Sequence, residues 1–195
     1  LRMSALMNLP VTYVFTHDNL LIGQDGPTHQ PIEQLAALRC IPNLIVYRPF
    51  DANEIIGSYK CAMEDNSPSV IVISKEKVET KTSTSINKTK QGAYIVKDFT
   101  IIDGIIISTG TELELALDVS KKLEEKNLKF RVVSMPSIEK YNEQSDKYKN
   151  EVLPKNVKKV VIEHASSYSW NSIVNLEHLF TIDRFGKSGT NDELI

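Results

Sequence analysis

The length and charge of the chain limit its possible functions before any motif is considered. Its 195 residues contain 23 Lys and Arg against 25 Asp and Glu, a formal net charge of −2. There is therefore no basic surplus for a nucleic-acid backbone or an anionic membrane, and no apolar run is long enough to cross a bilayer. Two cysteines, Cys40 and Cys61, are too few for a disulfide framework or a thiolate zinc site, and they favour a reducing, cytoplasmic setting.

The first ten residues have the pattern of the end of a helix. Apolar residues recur there at helical spacing, and the pattern stops at Asn8 and Pro10. The segment is too short and too weakly charged for a signal peptide. We therefore expect a chain that begins inside a helix, as a truncated chain would.

Short runs rich in β-branched residues alternate with helical patterns along the rest of the chain. This alternation predicts an α/β fold with mostly parallel sheets that are covered on both faces. Strands are predicted at 11–16, 44–47, 70–74, 104–109, 130–135, 159–163 and 178–182. Helices are predicted at 32–40, 52–65, 112–126, 138–148 and 169–176.

Candidate chemistry is concentrated in residues 15–31, which contain two of the four histidines. His17 follows the first predicted strand, at the sheet edge where parallel-sheet proteins bind ligands. Asp25 lies between two glycines, so the backbone there is free to aim its carboxylate inward. We expect Thr28 to cap the next helix, which places His29 at its beginning. The three side chains could bind polyol hydroxyls and transfer protons near neutral pH. Structural roles, with Asp25 as a turn former, remain equally open at this point.

A polar stretch at 77–92 separates two blocks of strands and helices. It consists of Thr, Ser, Lys and Asn with almost no apolar residue, which is typical of a linker. We therefore divide the chain into a first unit (1–78), a linker (79–93) and a second unit (94–195).

The second unit contains a strong helix-start signal at residues 108–114. Thr111 and Glu114 have the spacing of a capping box. Glu112 and Glu114 place two carboxylates in the first turn, which opposes phosphate binding at this helix end. Leu113, Ala116, Leu117, Ser120 and Leu123 form the stripe expected to pack on the sheet.

Several motifs resemble the transketolase family. The pyrimidine-domain signature is matched by 16–18 (THD), 23–31 (GQDGPTHQP), 38–39 (LR), 42–43 (PN), 48–49 (RP) and 51–52 (DA). The C-terminal domain is matched in the same order by 92–94 (GAY), 109–116 (TGTELELA), 131–137 (RVVSMPS), 152–154 (VLP) and 185–186 (FG).

The resemblance implies two three-layer α/β domains, an incomplete thiamine-diphosphate-binding fold followed by a smaller transketolase-type C-terminal domain. It also implies an enzyme that transfers a two-carbon ketol unit between ketose and aldose phosphates, as in the pentose phosphate pathway. Thiamine diphosphate and a divalent metal, Mg or Ca, would be its cofactors. The family's active sites form between two subunits of a homodimer, and the expected location is cytoplasmic.

The same resemblance implies roles for four residues. Asp25 would hydrogen-bond the C2 hydroxyl of the donor sugar, and His29 would lie beside the aminopyrimidine of the cofactor and the reacting oxygen. His17 would bind the sugar phosphate. Lys75 stands where the family has an arginine, so it keeps the charge of a phosphate ligand but loses the forked geometry. The loop departs from the usual pattern at Asn19, Leu21 and Gln24 as well.

Two motifs of the family are absent from these 195 residues. They are the Gly-Asp-Gly metal and diphosphate motif and the glutamate that protonates the pyrimidine ring. We therefore expect little cofactor binding and no turnover by the chain alone.

Two alternatives remain open. A dihydroxyacetone synthase would differ mainly upstream, whereas residues 26–31 disfavour a deoxyxylulose phosphate synthase. The second unit could instead be a non-catalytic folding or dimerisation module, since its nearest approach to a titratable cluster is the pair Glu163-His164.

Overall fold

The structure, a computed structural model, describes residues 1–22, 25–175 and 178–190. The strands are β1 (Thr12–Thr16), β2 (Ile45–Tyr47), β3 (Ser69–Ile73), β4 (Tyr94–Lys97), β5 (Gly104–Ser108), β6 (Phe130–Ser134), β7 (Lys159–Ile162) and β8 (Leu179–Phe180). The helices are α1 (Arg2–Leu6), α2 (Gln34–Arg39), α3 (Ala52–Glu64), α4 (Glu112–Glu124), α5 (Ile138–Asn142) and α6 (Asp146–Val152). No helix in these described ranges is long and apolar enough to cross a membrane.

Two sheets organise the chain, and both are mostly parallel. The first contains β1, β3 and β2 in that order, with all neighbours parallel. The second has the order β4-β6-β5-β7-β8, in which only the β4–β6 pair is antiparallel. The predicted α/β class is therefore confirmed.

Side chains of the central strand β5 point alternately to the two faces of the sheet, and they divide the core of the second unit into two layers. Ile105 and Ile107 are fully buried on one face, in a cluster that includes Trp170. Ile106 faces the opposite layer, where Leu113 of α4 packs against it. Successive strand residues point to opposite faces, so a sheet buried on both sides has continuous apolar strands.

The first sheet is covered less completely than predicted. Leu35 and Leu38 of α2 pack on one face, and Cys61 and Ala62 of α3 pack on the other. The edge strand β1, however, is mostly exposed. It ends directly before His17, so the uncovered edge adjoins the candidate site.

Three predicted elements are wrong in extent. The helix at 138–148 is divided into α5 and α6, because the Ser145 side chain accepts a hydrogen bond from the Tyr148 amide and begins a new helix. Residues 169–175 contain the end of a short 3-10 helix and turns instead of an α-helix. The last strand is limited to β8, and β4 lies just after the expected linker, where no strand was predicted.

The polar stretch at 77–92 is bound to the first turn of α3. The Asp51 carboxylate caps this helix at the Glu54 amide, at 3.1 Å. It also accepts hydrogen bonds from the Lys81 amide, at 2.9 Å, and from the Thr84 hydroxyl, at 2.6 Å. A segment with almost no apolar residue is therefore attached to α3 through a buried carboxylate, and the Asn53 side chain adds hydrogen bonds to the Lys81 carbonyl and the Thr84 hydroxyl.

Burial of one face of α4 generates a stability prediction. Leu113 is 0% exposed and Leu115 is 44% exposed on the same helix. We expect Leu113→Ala to lower the free energy of unfolding by about 2–5 kcal/mol because it opens a core cavity. Leu115→Ala is the matched control, with an expected change of about 0.5 kcal/mol or less. Urea unfolding followed by circular dichroism measures both, and equal losses would contradict the layer assignment.

Candidate functional site

His17 and His29 line one cavity of about 400 Å³. Its walls are partly apolar, with Phe15 from β1, Leu38 from α2 and Phe185 from the end of the described chain. The structure therefore brings together two imidazoles that are twelve positions apart in sequence.

The backbone at His17 has the left-handed conformation, with φ of 69°. This conformation is uncommon for a residue other than glycine and marks a sharp turn out of β1. The His17 side chain is exposed, and its Nδ1 lies 2.9 Å from the Thr16 hydroxyl. The turn places the imidazole at the carboxyl end of the strand, as the sequence predicted.

His29 lies in a turn and not at a helix start, so the predicted Thr28 cap is wrong. The amide of His29 donates to the Gly26 carbonyl at 3.1 Å, which closes the turn. Helix α2 begins only at Gln34, after Glu33. The Thr28 hydroxyl lies 2.9 Å from the His29 Nδ1 and thereby orients the ring.

Asp25 and Lys75 are exposed and do not line the cavity. Asp25 directly precedes the turn that carries His29, and its carbonyl accepts a 3.5 Å hydrogen bond from the Thr28 hydroxyl. Lys75 lies two residues after β3, the strand that pairs with β1. Gly23 and Gln24, on which part of the predicted motif falls, lie outside the described residues.

The loop between the two histidines is fixed by buried polar contacts. The Gln30 side-chain amide donates to the Leu20 carbonyl at 2.8 Å, and the Asn19 side chain accepts from the Leu21 amide at 2.6 Å. Gln30 and Asn19 are 4% and 2% exposed. These contacts hold the backbone on the inner side of the loop.

Next to this loop lies a buried ion cluster that the sequence did not predict. Arg48, 1% exposed, donates from Nε to the Asp18 carboxylate at 2.5 Å and from NH1 to the Thr109 carbonyl at 2.9 Å. Both terminal nitrogens of its guanidinium also bind the Glu112 carboxylate. Burial by itself lowers the pKa of Arg48, but the nearby carboxylates of Asp18, Glu112 and Glu163 outweigh it and keep the pKa well above its usual value.

Glu163 extends the cluster to α2. Its carboxylate accepts from Arg39 at 3.1 and 3.3 Å and from the Trp170 indole at 2.6 Å. Burial by itself raises the pKa of Glu163, but Arg39 and Arg48 outweigh it and hold the pKa below its usual range. The pair Glu163-His164 therefore contains an ion-pairing residue at the contact between the two units.

The predicted capping box at α4 is also wrong. Thr111 has helical backbone angles and makes no side-chain capping bond. Its neighbour Glu112 binds Arg48, and Glu114 pairs with Lys81 at 2.9 Å. Both carboxylates of the first turn are thus used for contacts with the preceding part of the chain.

Comparisons with known proteins assign the family. A family model described as "Transketolase, pyrimidine binding domain" matches residues 1–81, and one described as "Transketolase-like TK C-terminal domain" matches residues 92–195. The second match alone covers more than half of the chain. This chain belongs to the transketolase family.

Individual transketolases agree with that assignment. The chain is 44% identical to the transketolase of Bacillus subtilis, over 100% of its own length and 30% of the relative's. It is 40% identical to transketolase 1 of Saccharomyces cerevisiae, over 99% of its length and 28% of the relative's. A Pichia stipitis transketolase crystallised with sedoheptulose-7-phosphate superposes with a TM-score of 0.94 at 39% identity, covering 99% of this chain and 28% of that one. The chain thus spans about 30% of the length of the curated relatives it matches.

Transketolases are transferases, and the family implies a domain that binds thiamine diphosphate. The described residues fit the aromatic ring of that cofactor but not the metal ion that binds its diphosphate. The cavity offers His29 and apolar side chains, which suit a flat heteroaromatic ring. However, in the described part of the chain no three His, Cys, Asp or Glu side chains lie close enough to hold a metal ion. The metal ion therefore has no such ligand set among the described residues.

The buried ion cluster generates a pH-dependent prediction. We expect Glu163→Gln to lower the free energy of unfolding by about 3 kcal/mol at pH 7, because Arg39 and Arg48 lose a buried counter-charge. The native pKa of Glu163 is depressed, so its contribution is present above the unfolded pKa and lost as the pH falls through the native pKa. The difference between wild type and variant should therefore shrink below about pH 4.

Denaturant unfolding from pH 8 to pH 3 measures this difference. Asp98→Asn is the control, since Asp98 pairs with Arg131 at the surface with 43% of its side chain exposed. An exposed pair of this kind contributes about 0–1 kcal/mol. A Glu163→Gln effect as small as the control, or one that grows at acid pH, would contradict the assigned ion pairs.

Proposed function

We propose that this chain carries the sugar-phosphate-binding side of a transketolase active site. The reaction is the transfer of a two-carbon ketol unit between ketose and aldose phosphates, as in the pentose phosphate pathway. The observation that carries the proposal is the shared cavity of His17 and His29 at the end of β1. The Pichia stipitis relative, which was crystallised with sedoheptulose-7-phosphate, supports the substrate class.

The proposed roles are those that the family resemblance implies, and the positions of His17 and His29 in the cavity support two of them. The His17 imidazole, exposed at the cavity, binds the phosphate of the sugar. His29, oriented by Thr28, moves a proton at the reacting oxygen and contacts the aminopyrimidine ring. Asp25 hydrogen-bonds the C2 hydroxyl of the donor, and Lys75 adds a positive charge for phosphate. The last two roles require both side chains to reach the cavity from its rim.

Thiamine diphosphate, when bound, supplies the carbon nucleophile and the electron sink of the reaction. Mg or Ca would hold its diphosphate through ligands that are not among the described residues. We further propose a cytoplasmic homodimer in which a second polypeptide completes the site. Support for this comes from the edge strand beside His17, where Val14 and Phe15 are 42% and 41% exposed.

A chimera tests the catalytic role of His29. Residues 1–195 replace the equivalent part of the Bacillus subtilis transketolase, to which this chain is 44% identical. We expect the chimera to be active and His29→Ala to lower its kcat by about 10²–10⁴-fold, the usual contribution of general acid–base catalysis. A coupled assay of ketol transfer measures both rates.

Two controls accompany the chimera. His178→Ala removes an imidazole that lies by a different cavity, in the second unit, and should leave kcat unchanged. The isolated 195-residue chain should show no ketol transfer. A folded but inactive chimera would contradict the proposed function, and turnover by the isolated chain would contradict the proposed second polypeptide.

Lys75 provides a test of phosphate recognition. We expect Lys75→Arg to strengthen binding of sedoheptulose-7-phosphate several-fold, because a guanidinium fork forms two parallel hydrogen bonds with phosphate. Lys75→Ala should weaken it about tenfold, since one charge-assisted hydrogen bond contributes about 1.5 kcal/mol. Isothermal titration measures both, with Lys77→Arg and Lys77→Ala as neighbouring exposed controls. Equal behaviour of the two lysines would contradict the role of Lys75.

A further inference from the structure

Among the described residues of the second unit, Phe185 lines the cavity and no charged side chain does. Its charged residues nevertheless contact both walls of the site through two buried arginines of the first unit. We propose that Arg48 is a positioning residue through which Glu112 of the second unit fixes the loop that carries His17. This inference rests on the proposed function, in which His17 binds the sugar phosphate.

In the first unit, Arg48 binds Asp18, the residue that directly follows His17. The Asp18 carboxylate accepts from Arg48 Nε at 2.5 Å, and the Asp18 amide donates to the Ile73 carbonyl of β3 at 3.2 Å. Asp18 is therefore held at both its side chain and its backbone, and it is 6% exposed. His17 has a left-handed backbone, a costly conformation that persists only where neighbouring contacts impose it.

On the other side, the first turn of α4 and the residues before it enclose Arg48. The Arg48 carbonyl accepts from the Thr109 hydroxyl at 3.0 Å and from the Gly110 amide at 3.1 Å. A Cβ atom at Gly110 would lie 2.8 Å from Cζ of the guanidinium, so only glycine permits this approach. The Glu112 carboxylate then binds both terminal nitrogens of Arg48. The second unit therefore binds both the backbone and the guanidinium of this arginine.

The opposite wall of the cavity is also held by an ion pair between an arginine of the first unit and a glutamate of the second. Glu163 binds Arg39 of α2, the helix whose Leu35 and Leu38 line the cavity. The Glu163 carboxylate lies 3.8 Å from Arg48 NH1, so the two contacts form one buried group of charges. Because both arginines lie beside the Glu163 carboxylate, movement of one changes the electrostatic interaction of the other with it.

This charge balance explains why Glu112 affects the site. With Glu112 neutral, the Arg48 guanidinium retains Asp18 and, at a longer distance, Glu163 as charged partners. We expect Arg48 to shift toward Glu163, and Asp18 to move with it. The effect at His17 is then a change of position and not the loss of a ligand.

The experiment compares wild type with Glu112→Gln in the 195-residue chain. Two-dimensional NMR records the imidazole signals of the histidines, with His17→Ala to assign that of His17. We expect Glu112→Gln to move the His17 signal and to weaken sedoheptulose-7-phosphate binding about tenfold. In a His17→Ala background the same substitution should change affinity less than twofold, because coupled residues are non-additive.

Leu113→Ala is the matched control, since Leu113 directly follows Glu112 and its side chain packs in the apolar cluster under α4. It should leave the His17 signal and the affinity at wild-type values. If Glu112→Gln does not fold, Glu112→Asp, with its carboxylate one methylene shorter, replaces it in the same measurements.

An unchanged His17 signal in a folded Glu112 variant would overturn the inference, as would an identical shift in Leu113→Ala. Failure of the wild-type chain to bind sedoheptulose-7-phosphate would count against the proposed function alone. The His17 signal still decides the positioning role in that case, because it is recorded without ligand.

Discussion

The guanidinium of Arg48 joins the two units, together with the ion pair of Arg39 and Glu163. It is buried beside carboxylates that come from two regions of the chain, Asp18 before it and Glu112 well after it. A charge without partners would be costly in such a place, whereas a fully bonded one is tolerated. The structure therefore has to keep both units in contact, because separation would leave an arginine and several carboxylates without their partners.

This constraint has a functional consequence at the end of β1. The loop after this strand contains His17 in a left-handed conformation, followed directly by the Asp18 that Arg48 binds. The described lining of the cavity comes mainly from the first unit, but Glu112 and Glu163 of the second unit bind the two arginines that hold its walls. A C-terminal domain that contributes one described residue to the cavity lining can thus contribute to a site by holding the residues of another domain in place.

Much of the fold could be predicted from the sequence, because apolar periodicity is a local property. The buried strands around Ile106 and Val133 and the apolar stripe of α4 illustrate this. The division between α5 and α6 was missed because the apolar residues Ile138, Tyr141 and Tyr148 keep helical spacing across Ser145, the residue that caps α6. His17 and His29 were found because they lie in one short motif. Arg48, Glu112 and Glu163 were not connected, since more than sixty residues separate the first two and only the tertiary structure brings them together.

A crystal structure of the chain with sedoheptulose-7-phosphate tests the central claim most directly. We expect the phosphate beside the His17 imidazole and the Lys75 ammonium group, with the sugar extending toward Asp25 and His29. The Arg48 guanidinium should retain Asp18 and Glu112 as partners in that complex. A sugar phosphate bound elsewhere on the chain, or bound in this cavity with His17 turned away from it, would contradict the account.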